Sequence, residues 1–223
     1  MDKEIVEKLK LEREIISSQP KTPLGWEEKK NFSDQALISL VKLGDKDAFN
    51  ILVKRYEKKI LNILYLQLGP INELEDLAQE VFLKVFKNLS KFRGESQFST
   101  WLYRIAMNIS YDYKRKNKIN IFSLDENLDE DSDDTFKDFL TDSHEDLEKR
   151  IEREEIQKKI RNAIRNLPKE YQEVLILREF EGLSYKEIAD ILKCPVGTIE
   201  SRLFRAREEL KKIVKKELQE YEM

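Results

Sequence analysis

Thr198, Ser201 and Arg205 lie three and four residues apart near the C-terminus, with Arg202 beside them, so a helix places all four on one side. Arginine pairs bidentately with guanine, hydroxyl groups bond base edges or phosphates, and a helix N-terminus attracts phosphate. The opposite side carries apolar residues at the same spacing: Val196, Ile199, Leu203, Ala206 and Leu210. The pattern predicts a helix that buries one face and presents the other to the major groove of duplex DNA.

A second, shorter helix must hold this helix in place. Ser184 and Glu187 have the Ser-x-x-Glu spacing of a capping box, and apolar residues follow at positions 188, 189, 191 and 192. After a break at Cys194, a predicted turn residue, Pro195 fits the first turn of the next helix. Residues 184–210 therefore predict a helix-turn-helix, while a helical hairpin with a solvated basic face fits the same pattern.

Another set of polar residues marks a helix predicted over about residues 99–115. Arg104, Asn108, Tyr111 and Arg115 lie four, three and four residues apart on one side of it. Exposed bases stack on aromatic rings, amides bond base edges and cations hold the backbone, so this side suits single-stranded DNA. Phe92, in a glycine-bearing loop just before the helix, is predicted to line a base pocket. The other side predicts a core face: Trp101, Leu102, Ile105, Ala106, Ile109 and Tyr113.

Helical periodicity accounts for the rest of the chain, with no alternation typical of strands. One predicted helix begins at the N-cap Ser33 and the next ends at Gly69; further helices cover about 74–89, 151–166 and 168–181, the first with a buried stripe that includes Phe86. The predicted fold class is all-α. Two small helical domains, residues 33–116 and 151–216, are joined by an acidic flexible linker over 117–150, with an N-terminal extension (1–32) and a tail (217–223).

The charge distribution predicts nucleic-acid binding although the net charge does not. The formal net charge is −3, yet residues 84–118 hold nine basic and two acidic side chains, and residues 202–216 hold seven and two. Residues 125–148 hold twelve acidic side chains and one basic. Phosphate backbones are bound largely by Lys and Arg, so the two basic modules are candidate DNA contacts and the acidic segment connects them.

Composition excludes several classes of protein. No apolar run approaches the roughly 20 residues that cross a bilayer, and no signal peptide is evident, which predicts a soluble, cytoplasmic protein. One cysteine and one histidine predict neither a disulfide framework nor a usual structural metal site. There is no phosphate loop, catalytic triad or metal-ligand cluster, so we expect no enzyme activity, cofactor or small-molecule substrate.

Three stretches resemble a known family: KFRGESQFSTWLYRIAMN, LEDLAQEVFLKVF and LPKEYQEVLILREFEGLSYKEIADILKCPVGTIESRLFRAREEL. They look like the bacterial RNA polymerase sigma factors of the extracytoplasmic-function (ECF) type, and the similarity covers about residues 33–216. The resemblance implies a promoter-reading subunit that binds core polymerase through the β′ clamp helices and the β flap. It also implies an anti-sigma factor as a further partner.

The resemblance assigns roles to particular residues. It implies docking on the β′ clamp helices for Asp76, Gln79 and Glu80, which the pattern alone predicts to be solvated surface. It implies that Phe92 and Asn108 capture and read a flipped-out base of the minus-ten element. It implies that Trp101, Tyr103 and Arg104 support strand separation there, while Tyr111 and Arg115 join the same DNA-binding face by their helical spacing alone. Reading of the minus-thirty-five duplex falls to Thr198, Ser201, Arg202 and Arg205.

Two features depart from the family pattern. Glu200 lies beside the expected base-reading residues, where related sequences often carry a basic one, and the extension before Ser33 has no counterpart. That extension either binds a regulator, folds back over the basic surfaces or is a solvated tail. Two rival predictions are a conventional helix-turn-helix regulator that needs no polymerase, and a helical adaptor that binds acidic protein partners.

Overall fold

The computed structural model describes residues 26–117 and 147–219 of the 223-residue chain, and places the side chains of 26–117 and 155–215. The described residues form helices and turns and contain no strand, which confirms the all-α prediction. Most of the predicted N-terminal extension, residues 118–146 of the predicted acidic linker and the last four residues lie outside the described ranges.

The helices form two consecutive groups. The first group contains α1 (Trp26–Lys29), α2 (Asp34–Lys42), α3 (Lys46–Leu68), α4 (Leu74–Asn88) and α5 (Phe98–Lys116). The second contains α6 (Leu147–Arg165), α7 (Lys169–Leu175), α8 (Tyr185–Leu192) and α9 (Val196–Gln219). A 3₁₀ turn (Leu89–Lys91) follows α4, and a π-helical turn (Ile176–Phe180) extends α7.

Side-chain caps set the ends of the helices in the first group. The Ser33 hydroxyl accepts a hydrogen bond from the Ala36 amide and starts α2 as predicted, and the Asp45 carboxylate caps α3. Gly69 ends α3 with a φ of +83°, and a Cβ at this position would overlap the guanidinium of Arg165. The turn therefore requires glycine for its backbone conformation, and a Cβ would in addition displace the flexible end of the Arg165 side chain.

The second group contains the predicted helix-turn-helix. The Ser184–Glu187 capping box is present in both directions, and Lys193, in the left-handed region with φ +56°, ends α8. Ile199, Leu203 and Ala206 of α9 are buried, mainly against α7. The prediction that Val196 packs with them is wrong: it lies in the first turn of α9, one turn before the buried stripe begins, and is 41% exposed.

The two groups pack against each other, which the sequence did not predict. Helices α3 and α6 are in contact, as are α5 and α8, and the buried apolar residues form one continuous cluster. The Tyr103 hydroxyl donates a hydrogen bond to Glu181 Oε2 at 3.0 Å, and Gln172 Nε2 donates to the carbonyl of Leu66 at 3.3 Å. We call this arrangement the closed state.

Lys114 is a cation of α5 that contacts the second group in the closed state. Its ammonium donates to Gln172 Oε1 at 2.9 Å, and burial lowers its pKa to about 8 from 10.5, against the attraction of Glu173. If separation of the groups returns this pKa toward 10.5, the closed state binds fewer protons than the open state between those two values. The closed state therefore gains stability as pH rises through that window, and carries the full desolvation penalty below pH 8.

This pH dependence is measurable by small-angle X-ray scattering between pH 7 and 10. We expect the radius of gyration to fall as pH rises, and Lys114→Met, which cannot be protonated, to remove most of that change. Lys116→Met is the matched control, because Lys116 is an exposed cation of the same helix turn. A pH response in Lys114→Met as large as in the unsubstituted chain contradicts the assignment.

Candidate nucleic-acid interface

A cavity of about 380 Å³ lies between α4 and α5, where the sequence predicts a base pocket. It is lined by Lys84, Asn88, Lys91, Trp101, Ile105 and Asn108. The three α5 residues are four and three positions apart and so share one face, and Lys84 and Asn88 share a face of α4. No carboxylate lines this cavity. Its cations, amides and aromatic ring are the groups that bind a nucleobase together with its phosphates.

Phe92 lies behind this cavity and does not line it. The side chain is 7% exposed, and its ring centroid is 5.1 Å from that of Trp101 and 6.1 Å from that of Phe98. Lys42 Nζ donates to the Phe92 carbonyl at 2.6 Å and ties down the loop. In this conformation Phe92 supports Trp101, and Trp101 presents the aromatic surface to the cavity.

The other α5 residues with predicted DNA roles fall into two sets. Asn108 and Arg115 are exposed and Arg104 is half-buried; Arg115 also pairs with Asp112 at 3.1 Å. The second set consists of two tyrosines that contact the second group of helices. Lys169 Nζ lies 3.3 Å from the Tyr111 ring centroid. Tyr103 is 1% exposed, and its hydroxyl donates a hydrogen bond to Glu181. Burial and the adjacent carboxylate raise the pKa of Tyr103 well above its ordinary value.

The outer face of α9 brings together the four residues predicted to contact duplex DNA. Ser201 and Arg205 are exposed, whereas Thr198 and Arg202 are half-buried. Arg202 lies 3.6 Å from a carboxylate oxygen of Glu170, so it is held at the edge of this face. Glu200 is exposed, as is Phe204, at 68%. An exposed hydroxyl and an exposed guanidinium in the N-terminal turns of a helix suit a DNA groove.

The predicted docking residues are exposed on α4, beside an apolar groove. Asp76, Gln79 and Glu80 are exposed, and Gln79 also lines a groove of about 620 Å³ between α3 and α4. Leu83 and Phe86, at 57% and 47% exposed, line the same groove. The prediction that Phe86 is buried is wrong, since its ring meets Phe49 at 4.9 Å at the groove and remains open to solvent.

Sequence reasoning missed the contribution of α4 to the cavity, namely Lys84, Asn88 and, in the turn that follows, Lys91. A signal was present, because positions 84 and 88 are one helical turn apart and both polar. Their meaning depends on how α4 crosses α5, which local spacing does not encode.

Both groups match families of known proteins. Residues 52–119 match the family described as "Sigma-70 region 2", and residues 157–210 match the family described as "Sigma-70, region 4". The ECF RNA polymerase sigma-E factor of Haemophilus influenzae is 40% identical over 182 residues, which are 79% of this chain and 92% of that protein. The RNA polymerase sigma-H factor of Pseudomonas aeruginosa is 40% identical over 192 residues, 84% and 96% of the two chains.

A solved structure shows the same fold. The sigma factor RpoE in complex with the anti-sigma factor NepR, from Bartonella quintana, has a TM-score of 0.54 and 24% identity, over 75% of this chain and 96% of that chain. The matched regions and the shared fold define a sigma-70 type of protein. With relatives at 40% identity over nearly their whole length, the chain belongs to the ECF RNA polymerase sigma factors.

Membership in this family confirms the function that the resemblance implies. The protein is a sigma factor, a DNA-binding regulator that directs RNA polymerase to promoters, and the rival prediction of a regulator that works without polymerase is not favoured. Among the described helices, none is long and apolar enough to cross a membrane. Within the same ranges, no cluster of three His, Cys, Asp or Glu side chains is arranged to hold a metal ion.

Proposed function

We propose that the two groups divide the promoter between them. The first domain, residues 33–116, binds core polymerase through Asp76, Gln79 and Glu80 and captures an unstacked minus-ten base in the cavity between α4 and α5. Its DNA face consists of Trp101, Arg104, Asn108, Tyr111 and Arg115, with Phe92 and Tyr103 packed behind it. The second domain, residues 151–216, reads the minus-thirty-five duplex with Thr198, Ser201, Arg202 and Arg205.

The cavity is the observation that supports this division most strongly. Flipping a base out of duplex DNA costs a few kcal/mol, and pocket contacts offset that cost. A concave site with Asn108 exposed at its rim, Trp101 in its wall and two lysines offers those contacts to a single base. The outer face of α9 carries exposed Ser201 and Arg205 along a single helix, and so suits an intact groove. Neither site has an arrangement for covalent chemistry, so we assign this chain no catalytic step.

Partners and location follow from this proposal. The solved RpoE structure holds an anti-sigma factor. By analogy, we propose that an anti-sigma factor holds this chain inactive until a signal releases it. Because polymerase and promoter DNA are its working partners, we place the protein in the cytoplasm. The acidic residues of 125–148 connect the domains when both are bound to polymerase.

Run-off transcription with purified bacterial core polymerase on a promoter library tests the proposed function. We expect promoter-specific transcripts only when this chain is added. If folded protein and active core polymerase give no such transcript, the proposal is wrong.

A pair of substitutions tests the division of labour. Asn108→Ala is expected to impair promoter melting, followed by the fluorescence of 2-aminopurine in the minus-ten element, and to spare duplex binding. Arg205→Ala is expected to weaken minus-thirty-five duplex binding by about 1 to 3 kcal/mol if it reads a base. Both positions are exposed, so neither change should disturb the core. Equal effects of the two substitutions on both measurements would refute separate roles.

A further inference from the structure

Asn88 has an amide oxygen that no described residue uses, although its amide nitrogen is engaged. Asn88 Nδ2 donates to the carbonyl of Lys84 at 2.8 Å, one turn earlier in α4. That carbonyl accepts only, so it fixes which end of the amide faces the helix and turns Oδ1 away from it. Asn88 is half-buried and lines the cavity between α4 and α5. The cavity wall thus carries an oriented acceptor.

Acceptors are scarce in this cavity. Lys84 and Lys91 only donate hydrogen bonds, Trp101 donates through its indole nitrogen, and Ile105 is apolar. Among the lining side chains, only the amides of Asn88 and Asn108 offer an oxygen. Adenine, cytosine and guanine carry an exocyclic amino group that donates to such an oxygen, whereas thymine has no amino group and presents two carbonyl oxygens, a methyl group and one ring N–H.

We infer that Asn88 is a specificity-determining residue of the base pocket, and that Oδ1 accepts a hydrogen bond from the exocyclic amino group of the captured base. Lys91 then contributes in a different way. It is exposed at the mouth of the cavity, and a lysine beside a bound nucleotide neutralises phosphate whatever the base. The inference rests on the proposed capture of a minus-ten base, and names the wall of the pocket that selects that base.

The two roles have different signatures in transcription. The test uses the full chain with core polymerase on a promoter library in which every minus-ten position carries all four bases, and sequences the promoters of the transcripts. The unsubstituted chain is expected to prefer a base with an exocyclic amino group (adenine, cytosine or guanine) over thymine at one position. Asn88→Ala is expected to reduce that preference about fivefold or more, while preferences elsewhere stay the same.

Two further variants separate base selection from other effects. Lys91→Ala is expected to lower transcription from all promoters alike. It should also reduce the slope of log binding constant against log salt concentration by about 1, the value for one lost phosphate contact. Asn72→Ala makes the same chemical change at an exposed asparagine outside the cavity, and should alter nothing. If Asn88→Ala does not fold, Asn88→Ser provides the test. The serine hydroxyl retains a donor and an acceptor but is shorter than the asparagine amide. A changed base preference at the same position is then expected.

The possible results distinguish this assignment from the proposed function. Promoter-specific transcription with unchanged base preferences in folded Asn88→Ala or Asn88→Ser overturns the role of Asn88 and leaves the proposed function standing. A uniform loss across all promoters also overturns it, since that is the signature of a phosphate contact or a structural role. No promoter-specific transcript from the unsubstituted chain overturns the proposed function and this assignment together.

Discussion

Replacing Asp76 and Gln79 together by arginine is expected to abolish binding to core polymerase and leave the fold intact. Both side chains are exposed on α4, so their replacement opens no cavity in the core. At a docked interface, however, two new cations meet a surface that had faced a carboxylate and an amide. Misplaced charges at an interface cost several kcal/mol, so the affinity should fall by about 100-fold or more.

Glu80 is left unchanged in this variant for a structural reason. Its carboxylate lies 3.8 Å from Lys84 Nζ, and Lys84 lines the base cavity, so a change at position 80 would alter both sites. Binding is measured by fluorescence anisotropy of the labelled chain titrated with core polymerase. Glu208→Arg, an exposed reversal on α9, is the control and should bind normally. Undiminished affinity in the double variant would place the docking surface elsewhere on the molecule.

The groove beside these residues explains why a polar patch is able to dock. Leu83 and Phe86 present apolar surface next to Gln79, and hydrogen-bonding residues around apolar anchors are typical of protein interfaces. Phe86 was predicted to be buried because it shares a helical stripe with core residues. The stripe is wider than the surface that α3 covers, so its edge remains open.

Local features of the fold were predictable from the sequence. The caps at Ser33 and Ser184 and the turn at Gly69 each depend on residues within a few positions, and each is present in the structure. The long helices followed from apolar periodicity in the same way. The π-helical turn at Ile176–Phe180 was not predicted, since no proline or glycine interrupts that stretch.

Contacts between distant parts of the chain were not predictable. Tyr103 and Glu181 are 78 positions apart and meet only because α5 packs beside the second group. Phe92 was expected to face DNA, because a loop aromatic has no local feature that marks it as core. Its position behind Trp101 depends on the crossing of α2, α5 and the loop.

The closed state gives these distant contacts a functional meaning. The second group holds Lys169 over Tyr111 of the proposed minus-ten face, and Glu181 holds Tyr103, which packs behind that face. In the proposed promoter complex the same face must bind single-stranded DNA. Separation of the two groups therefore has to precede, or accompany, capture of the base.

Reversing one charge, Glu181→Lys, is expected to open the closed state. Burial raises the pKa of Glu181, while the Tyr103 hydroxyl and the nearby Lys59 favour its ionised form. A lysine there places a second cation near the exposed Lys59 and leaves the Tyr103 hydroxyl without its acceptor. A hydrogen bond to a charged group contributes about 1.5 to 3 kcal/mol, which is enough to shift the ratio of closed to open molecules by about 10-fold or more.

Scattering and DNA binding report this opening independently. The radius of gyration of Glu181→Lys should exceed that of the unsubstituted chain, and its affinity for single-stranded DNA without polymerase should rise, because Tyr111 is released from Lys169. Glu208→Lys is the matched control, since it makes the same reversal on the exposed side of α9 and should change neither quantity. A larger radius with unchanged DNA affinity would show that the closed state does not block the minus-ten face. An unchanged radius would show that Glu181 does not hold the two groups together.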